Sequence, residues 1–558
     1  MSTPVLSESD PLLPETQRQH QPTPNHYWRR PHPQWLIPLA LISSLARGLT
    51  LAARVQIVTR IACDSLHRAS RATLDPTQYL QTTESTISAI PDVCFTDPAV
   101  QASAAQAQMI LTVISGGVTA LTAGRWGKWG DKSGRNKVMS VALLGLVMAE
   151  SVYALVSLRH LPLKHHGHKL ILLAPIFEGL FGSWPTLQAN MNAYLSDITP
   201  QGSAARMFSR FMGILYIGFA VGPSIASFVL RQSATKNLTP LFIMSAVAYS
   251  ISLLFILLIA PESLHSSDKP PSESSSNDTH DTHVQNDPET AMWRPIRRLI
   301  APLAAFRPRR AGAMRKDYTL TIIALSYFIY LMSLALYQLK YLYAEHVFSW
   351  DAERLGYYIS YMGFARAITL LVLMPAWNYL FKPLPIRGRS SVSPRRELNF
   401  DLSLVRMSIL LDVLSHASVI VAPSSSATWF VLATTLTSLG STSVPSYSST
   451  VLGYVRYRTA QAEQEDQQED VGVLFGGLAV LQSLGQTIIG PILFGLVYSA
   501  TVSTFPKGVF VLACSLAGMA FVLMLIARPR KRLILVGTHR DGARGRSGMP
   551  KPITIPPA

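Results

Sequence analysis

Charge is scarce in this chain. Only 15% of its residues are Asp, Glu, Lys or Arg, against roughly 25% in a typical soluble domain. A soluble protein of 558 residues divides into several domains and coats each with charge, so the composition disfavours a soluble enzyme. Cysteine is scarcer still: three residues exclude a disulfide-rich scaffold and a four-cysteine zinc site. The N-terminal MSTPVLSESDPLLPETQ has neither the basic start nor the apolar core of a cleaved signal, so the first apolar run is expected to be an uncleaved anchor. There is no phosphate-cradling loop and no zinc-protease or hydrolase motif. The expectation is a non-enzyme with no cofactor. Ten-residue segments of alternating polarity, as a membrane barrel needs, are missing too. The net charge of +17 is spread between apolar runs, not gathered in one patch, which argues against a nucleic-acid partner.

What the chain has is hydrocarbon. Hydrophobic residues make up 48% and the mean hydropathy is +0.24. A helix needs about 20 apolar residues to cross a bilayer, and twelve stretches qualify: 35–54, 106–124, 138–158, 170–195, 211–230, 240–260, 318–338, 356–380, 402–422, 427–447, 472–497 and 508–527. Arg54 marks the far end of the first. Of the 49 Lys and Arg residues, 34 fall on the N-terminal side of such an arrangement, 11 on the other side and four within helices. That asymmetry predicts twelve spans with both termini cytoplasmic. The predicted fold is an all-α membrane protein of twelve transmembrane helices in two six-helix bundles, 35–260 and 318–527. A disordered N-tail (1–34), a cytoplasmic linker (261–317) and a basic C-tail (528–558) flank and join them. The linker begins as a polar low-complexity segment and ends in WRPIRRLIAPLAAFRPRR. That basic stretch is read either as lying on the anionic inner leaflet or as a solvated linker.

The halves are faintly similar. The fifth stretch holds Gly218, Gly222 and Pro223, and the eleventh holds Gly485, Gly490 and Pro491. The fourth holds Gly182, Ser183 and Pro185; the tenth holds Gly440, Ser441 and Pro445. Duplicated halves are common in secondary transporters, which rock two bundles about a midplane site.

Between the second and third stretches runs Gly127-Lys-Trp-Gly-Asp131-Lys132-Ser-Gly134-Arg135-Asn136-Lys137. The glycines permit a tight turn and close backbone approach. This segment resembles the signature loop of the major facilitator superfamily, G-x-x-x-D-[RK]-x-G-[RK]-[RK], with Trp129 at the usual aliphatic position and Asn136 at the second basic one. The resemblance implies the major facilitator fold, with Asp131 meeting the start of helix eleven to latch the outward-open state. Gly213, Gly218, Gly222 and Pro223 resemble the G-x-x-x-G-P element of that family's antiporters. Asn192 to Pro200 with Arg206, and Cys94-Phe-Thr-Asp97-Pro98, resemble its tetracycline-exporter and proton-coupled folate transporter branches. The Arg of the family's R-x-x-x-G proton-coupling pattern has no counterpart: Pro175 stands four before Gly179, and Glu178 four before Gly182.

Ionisable residues within spans are costly and face a cavity or a partner. Those here are Arg47, Glu150, Glu178, Arg366, Arg406 and Asp412. Glu178 and Asp412 are candidate proton carriers. Arg366 is a candidate ligand for an acidic substrate or a partner for Asp412. Tyr327, Tyr330, Tyr337, Tyr341 and Tyr343 run down helix seven, several on one face. They line a pocket for planar molecules or pack as a belt. Cys63 and Cys94 share the first outer loop, where a disulfide is expected to form. Asn237-Leu-Thr239 is a glycosylation sequon on the outer side. His165, His166 and His168 are read as a solvated polar loop, with metal binding or acid sensing as the alternative. Glu8 to Leu13 resembles an acidic dileucine sorting signal, which suggests a vacuolar or endosomal membrane as an alternative to the plasma membrane. Taken together, these features predict a monomeric secondary transporter of a small organic molecule, working as a proton-coupled antiporter on the proton gradient. Proton-coupled uptake and a transport-inactive sensor are the alternatives.

Overall fold

The computed structural model describes residues 31–72, 96–158, 167–198, 204–233, 237–263, 301–310, 316–381, 394–423, 425–459 and 471–527. The dileucine pattern, Cys94, His165, His166, the polar part of the linker and the C-tail lie outside them, as do the side chains of Asp131, His168 and Arg206.

Among the described residues almost every backbone group is satisfied within a helix, as a lipid solvent demands. Ten helices are long and apolar enough to cross a membrane. Spans 1, 2 and 3 are Leu36–Ala72, Pro98–Ser133 and Arg135–Ser157. Spans 5, 6, 9 and 12 are Ala204–Gln232, Thr239–Leu258, Pro394–Val421 and Gly508–Ile526. Span 7 is Thr319–Leu334 continued by Leu336–Phe348. Span 8 (Ala352–Ile368, Met374–Phe381) and span 11 (Val471–Gln482, Gly490–Thr501) each carry a wide π turn midway.

The remaining two spans are broken, and they are the pair whose Gly-Ser-Pro patterns match. Span 4 is Leu173–Leu180 followed by Ser183–Ile198, with Gly182 at φ +92° between them. The carbonyls freed there are satisfied from span 2. Thr122 donates to Gly179 O at 2.8 Å and the Trp126 indole donates to Leu180 O at 3.1 Å. Span 10 is Ala427–Leu439, a tight turn Gly440–Thr442, and Ser443–Thr459.

Several expected boundaries move. Span 1 does not end at Arg54 but runs eighteen residues further, to Ala72. Span 7 continues past 338 to Phe348, and span 10 past 447 to Thr459. A window that stops at the first charge truncates a helix whose charge has a buried partner. The signature segment is not an open loop, since helix runs through Gly127 to Ser133 and only Gly134, at φ +109°, turns the chain. Ala301–Phe306, from the basic stretch of the linker, packs on the first half of span 11, with Phe306 buried. Its apolar residues therefore meet protein.

The glycine elements are close-approach surfaces. Gly222 packs on span 1 at Gly48, where a β-carbon on Gly222 would lie 2.6 Å from the Leu45 carbonyl. Gly485 and Gly490 pack in the same way on span 7, at Phe328, Leu331 and Ala335. The 1–5 contact in one bundle is thus repeated by the 7–11 contact in the other.

The bundles meet through spans 2 and 11 and through spans 5 and 8. Gly116 faces Thr487 and Gly495 faces Met109; Gly356 faces Ser227 and Gly363 faces Ala220. These contacts lie in the middle and toward the face opposite the one where span 1 begins. On the N-terminal side of these, Gly213 of span 5 still packs on Leu371 of span 8. No residue of Met374–Phe381 is buried, and Val471–Gln482 packs within its own bundle on span 7 and on Ala301–Phe306.

Candidate functional site

Two polar clusters sit inside the spans, one in each bundle. In the first, Arg47, Thr50 and Arg54 share one face of span 1, at offsets of three and seven. Arg47 Nη1 lies 2.8 Å from Glu178 Oε1, and Arg54 Nη1 lies 2.9 Å from the same oxygen. Arg54 Nη2 reaches Glu150 Oε1 at 2.7 Å, where Thr50 also donates at 3.0 Å. The Arg54 guanidinium lies 4.6 Å from the centre of the Tyr153 ring. Glu150 comes from span 3, and Glu178 from the short first helix of span 4, just before the break. Two cations meet two carboxylates, and the cluster closes electrostatically on itself.

The second cluster gathers Lys340 from span 7, Arg366 and Tyr358 from span 8, Asp412 from span 9 and three span 7 tyrosines. Asp412 is not paired with Arg366 as the alternative reading expected. It accepts a 2.7 Å hydrogen bond from the Tyr330 hydroxyl. Gly440, at the span 10 break, leaves the room Asp412 Oδ1 occupies, much as the span 4 break follows Glu178. Arg366 lies over the Tyr337 ring at 5.6 Å. Lys340, 6% exposed, stands 5.6 to 5.7 Å from the ring centres of Tyr337, Tyr341 and Tyr358.

The tyrosine stripe therefore divides. Tyr337 and Tyr341 face Lys340, whereas Tyr327 stacks on Tyr447, and Tyr343 packs with Phe348, Phe430 and Phe510. Arg406 caps carbonyls at the end of span 12, donating to Met524 O and Ala527 O at 3.0 Å each.

Among the described residues three hydrogen-bonded bridges join the bundles, one of them from the Ser227 hydroxyl of span 5 to Glu353 O of span 8 at 2.9 Å. Gln338 Oε1 accepts from Gln108 and Thr112 of span 2 at 2.8 and 3.0 Å. Nearer the opposite face, Glu345 Oε2 accepts from Thr59 of span 1 at 2.8 Å. Arg54, Lys340 and Glu345 were missed as span residues. The signal that finds them is the apolar sequence resuming after each, as in VQIVTRIAC and YLYAEHVF.

The signature segment is anchored at the N-terminal face. Glu262, just after span 6, caps span 3: its carboxylate accepts from the N–H groups of Arg135 and Asn136 at 2.8 and 3.1 Å. A side chain on Gly134 would collide with that carboxylate. Arg135 Nε pairs with Asp197 Oδ2 of span 4 at 3.3 Å. Lys132 and Lys137 are exposed. Asp131 sits in the last turn of span 2.

Cys63 is disulfide-bonded and Cys514 carries a free thiol. Asn237 is exposed, and its side-chain oxygen accepts from the Thr239 N–H and hydroxyl. Among the described residues no three His, Cys, Asp or Glu side chains form a metal-holding group.

Twelve spans in two repeats, with this signature segment, define a family. The model of the Major Facilitator Superfamily matches residues 36–462. The chain belongs to that superfamily. It is 25% identical over 449 residues to an uncharacterized membrane protein of Saccharomyces cerevisiae, covering 76% of each chain. It is 22% identical over 487 residues to the MFS-type transporter avaJ of Aspergillus versicolor, covering 87% of this chain and 86% of the other. The class E tetracycline resistance protein of Escherichia coli is 23% identical over 403 residues, 72% of this chain and 81% of its own. Among solved structures, the human organic anion transporter MFSD10 superposes with a TM-score of 0.55 at 16% identity, over 89% of this chain and all of that one. The nucleoside transporter NupG superposes with a TM-score of 0.52 at 11% identity, over 89% of this chain and 98% of that one. At such identities these likenesses speak for the fold. The chain is accordingly a multi-pass membrane protein with a transporter's architecture.

Proposed function

We propose that this superfamily member is a proton-coupled antiporter that moves a small organic molecule by alternating access. The observation that carries the reading is Asp412. It is a carboxyl buried within a span, 5% exposed, whose hydrogen-bond partner is the Tyr330 hydroxyl. Glu150 and Glu178 are tied to arginines, so protonating either strands a guanidinium. Asp412 makes no ion pair among the described residues, so taking a proton breaks none, and Lys340 and Arg366 within electrostatic reach favour its release. The contacts between the bundles, which gather in the middle and toward the other face, support an inward-open state when both termini are cytoplasmic, the orientation that the Lys and Arg distribution favours.

The finer assignments belong to the same proposal. The protein works as a monomer and exports its substrate, either across the plasma membrane or into a vacuolar or endosomal compartment. Cys94 is the partner of Cys63. Asn237 is the glycan acceptor, read as a mobility shift on endoglycosidase treatment.

The test begins with metabolites compared inside and outside cells with and without the protein. The solute that changes is then offered to proteoliposomes carrying the purified chain and an internal pH dye. Expected is solute movement against a counterflow of protons, abolished by a protonophore and lost in Asp412→Asn. Flux indifferent to the gradient removes the coupling. Solute and protons moving together indicate uptake instead. Absence of any solute flux makes the protein a sensor or scaffold on a transporter fold.

A further inference from the structure

The two clusters differ in one respect that no pairing within the chain resolves. In the N-terminal bundle each guanidinium meets a carboxylate at 2.7 to 2.9 Å. In the C-terminal bundle, among the described residues, neither Lys340 nor Arg366 has a carboxylate within ion-pair distance. Asp412 is the carboxylate within electrostatic reach of both, and it is engaged by Tyr330. The Nε of Arg366 is buried without a hydrogen-bond partner. What faces the two cations instead is ring surface: Tyr337, Tyr341 and Tyr358. Rings offset part of the cost of burying a cation, but two cations beside each other still repel.

We propose that this gap is an anion site, and that the transported molecule is an organic anion bearing an aromatic or other flat ring. This deepens the transporter reading and rests on it for the word transported. The anionic group would sit between Lys340 and Arg366, whose planar fork suits carboxylate and sulfonate. The flat ring would lie against Tyr337, Tyr341 and Tyr358.

Access fits. Arg366 and Tyr337 are partly exposed, and Tyr216 of the other bundle lies within electrostatic reach of Arg366. The site thus borders the seam between the bundles. Gln338, one residue along from Tyr337, bridges to span 2. A ligand held there lies in the C-terminal bundle beside that seam, with Tyr216 of the other half within electrostatic reach of its Arg366.

The experiment is equilibrium binding to the purified full chain in detergent, with no gradient and no transport required. The probes share one ring and differ in charge: radiolabelled naphthoate, neutral naphthamide and cationic naphthylmethylamine. Expected is binding of naphthoate about tenfold tighter than naphthamide, with the amine weakest. In Lys340→Gln or Arg366→Gln the preference falls to about twofold or less, while Arg366→Lys keeps part of it. Equal binding of the three, a preference for the amine, or no binding of naphthoate overturns the anion site. Chloride or inorganic phosphate displacing naphthoate as effectively as unlabelled naphthoate does overturns the ring requirement. Should either Gln variant fail to fold, the charge preference of the unaltered chain decides. Naphthoate binding without flux in proteoliposomes would leave the site standing and remove the transport reading; flux of a neutral or cationic solute would do the reverse.

Discussion

Thr59 of span 1 donates a 2.8 Å hydrogen bond to Glu345 of span 7, and this contact joins the two bundles on the side where they are closed. Glu345 is fully buried, and its other oxygen has no hydrogen-bond partner among the described residues. For the bundles to rock, this contact must break and meet water. Thr59→Val removes the donor at nearly constant volume. Gln101 of span 2 also reaches this carboxyl, so the variant loses one hydrogen bond, which costs about 0.5 to 1.5 kcal/mol and shifts a two-state balance about two- to tenfold. Spin labels on the exposed Ser65 and Ser349 are expected to show a longer, more populated distance in Thr59→Val. An unaltered distance distribution would mean that the bond does not hold this face shut.

Arg54 makes a sharper case, because it serves two carboxylates at once. Truncating it leaves Glu150, fully buried, facing no cation. The expected loss is about 3 to 5 kcal/mol, seen as a large fall in thermal midpoint in detergent. The double variant Arg54→Ala with Glu150→Gln is expected to recover part of that fall, because it removes the stranded charge. Additive losses in the double variant would show that the two side chains act independently.

The glycine elements allow a control within the same experiment. Gly222→Ala places a methyl against the Leu45 carbonyl and the Gly48 backbone, which can yield only if spans 1 and 5 separate. Overpacking of this kind costs about 1 to 3 kcal/mol. A methyl on Gly117 meets nothing within 4 Å, and Gly117→Ala is expected to match the parent in thermal midpoint. Equal midpoints for the two variants would remove the close-approach account of this element.

The spans were legible because lipid imposes a one-dimensional rule: a run of apolar residues long enough to cross has few other fates. Glycine and proline at 182–185 and 440–445 marked the halves as similar, and the helices that carry them are the two that break, because those residues weaken helix. Arg47, Glu150, Glu178, Arg366 and Asp412 stood out because charge in hydrocarbon demands a reason. What the chain's own order could not supply was partnership. Hydropathy ends span 1 at Arg54 and span 7 before Lys340, yet each helix continues, since ion pairs or rings on other spans receive the charge. The same ignorance of neighbours left Arg366 as one candidate partner for Asp412, when a tyrosine of span 7 holds it. Periodicity placed the tyrosines on a face but could not say which of them would meet a cation.

Asp131 occupies the last turn of span 2, at the N-terminal face. In this state the first half of span 11 packs on span 7 and on Ala301–Phe306, away from that turn. Closing the N-terminal face would bring the end of span 2 toward the start of span 11, where unsatisfied N–H groups at a helix N-terminus favour a negative charge. Such a contact contributes about 0.3 to 1 kcal/mol, and it exists only in the closed form. Asp131→Asn should therefore slow exchange about two- to fivefold without changing expression, monodispersity or thermal midpoint in the state seen here. The slowing should be absent from ligand binding at equilibrium and present in initial rates of counterflow. Initial rates equal to the parent's would leave Asp131 as a solvated charge and the signature segment as an anchor held by Glu262 and Asp197 alone.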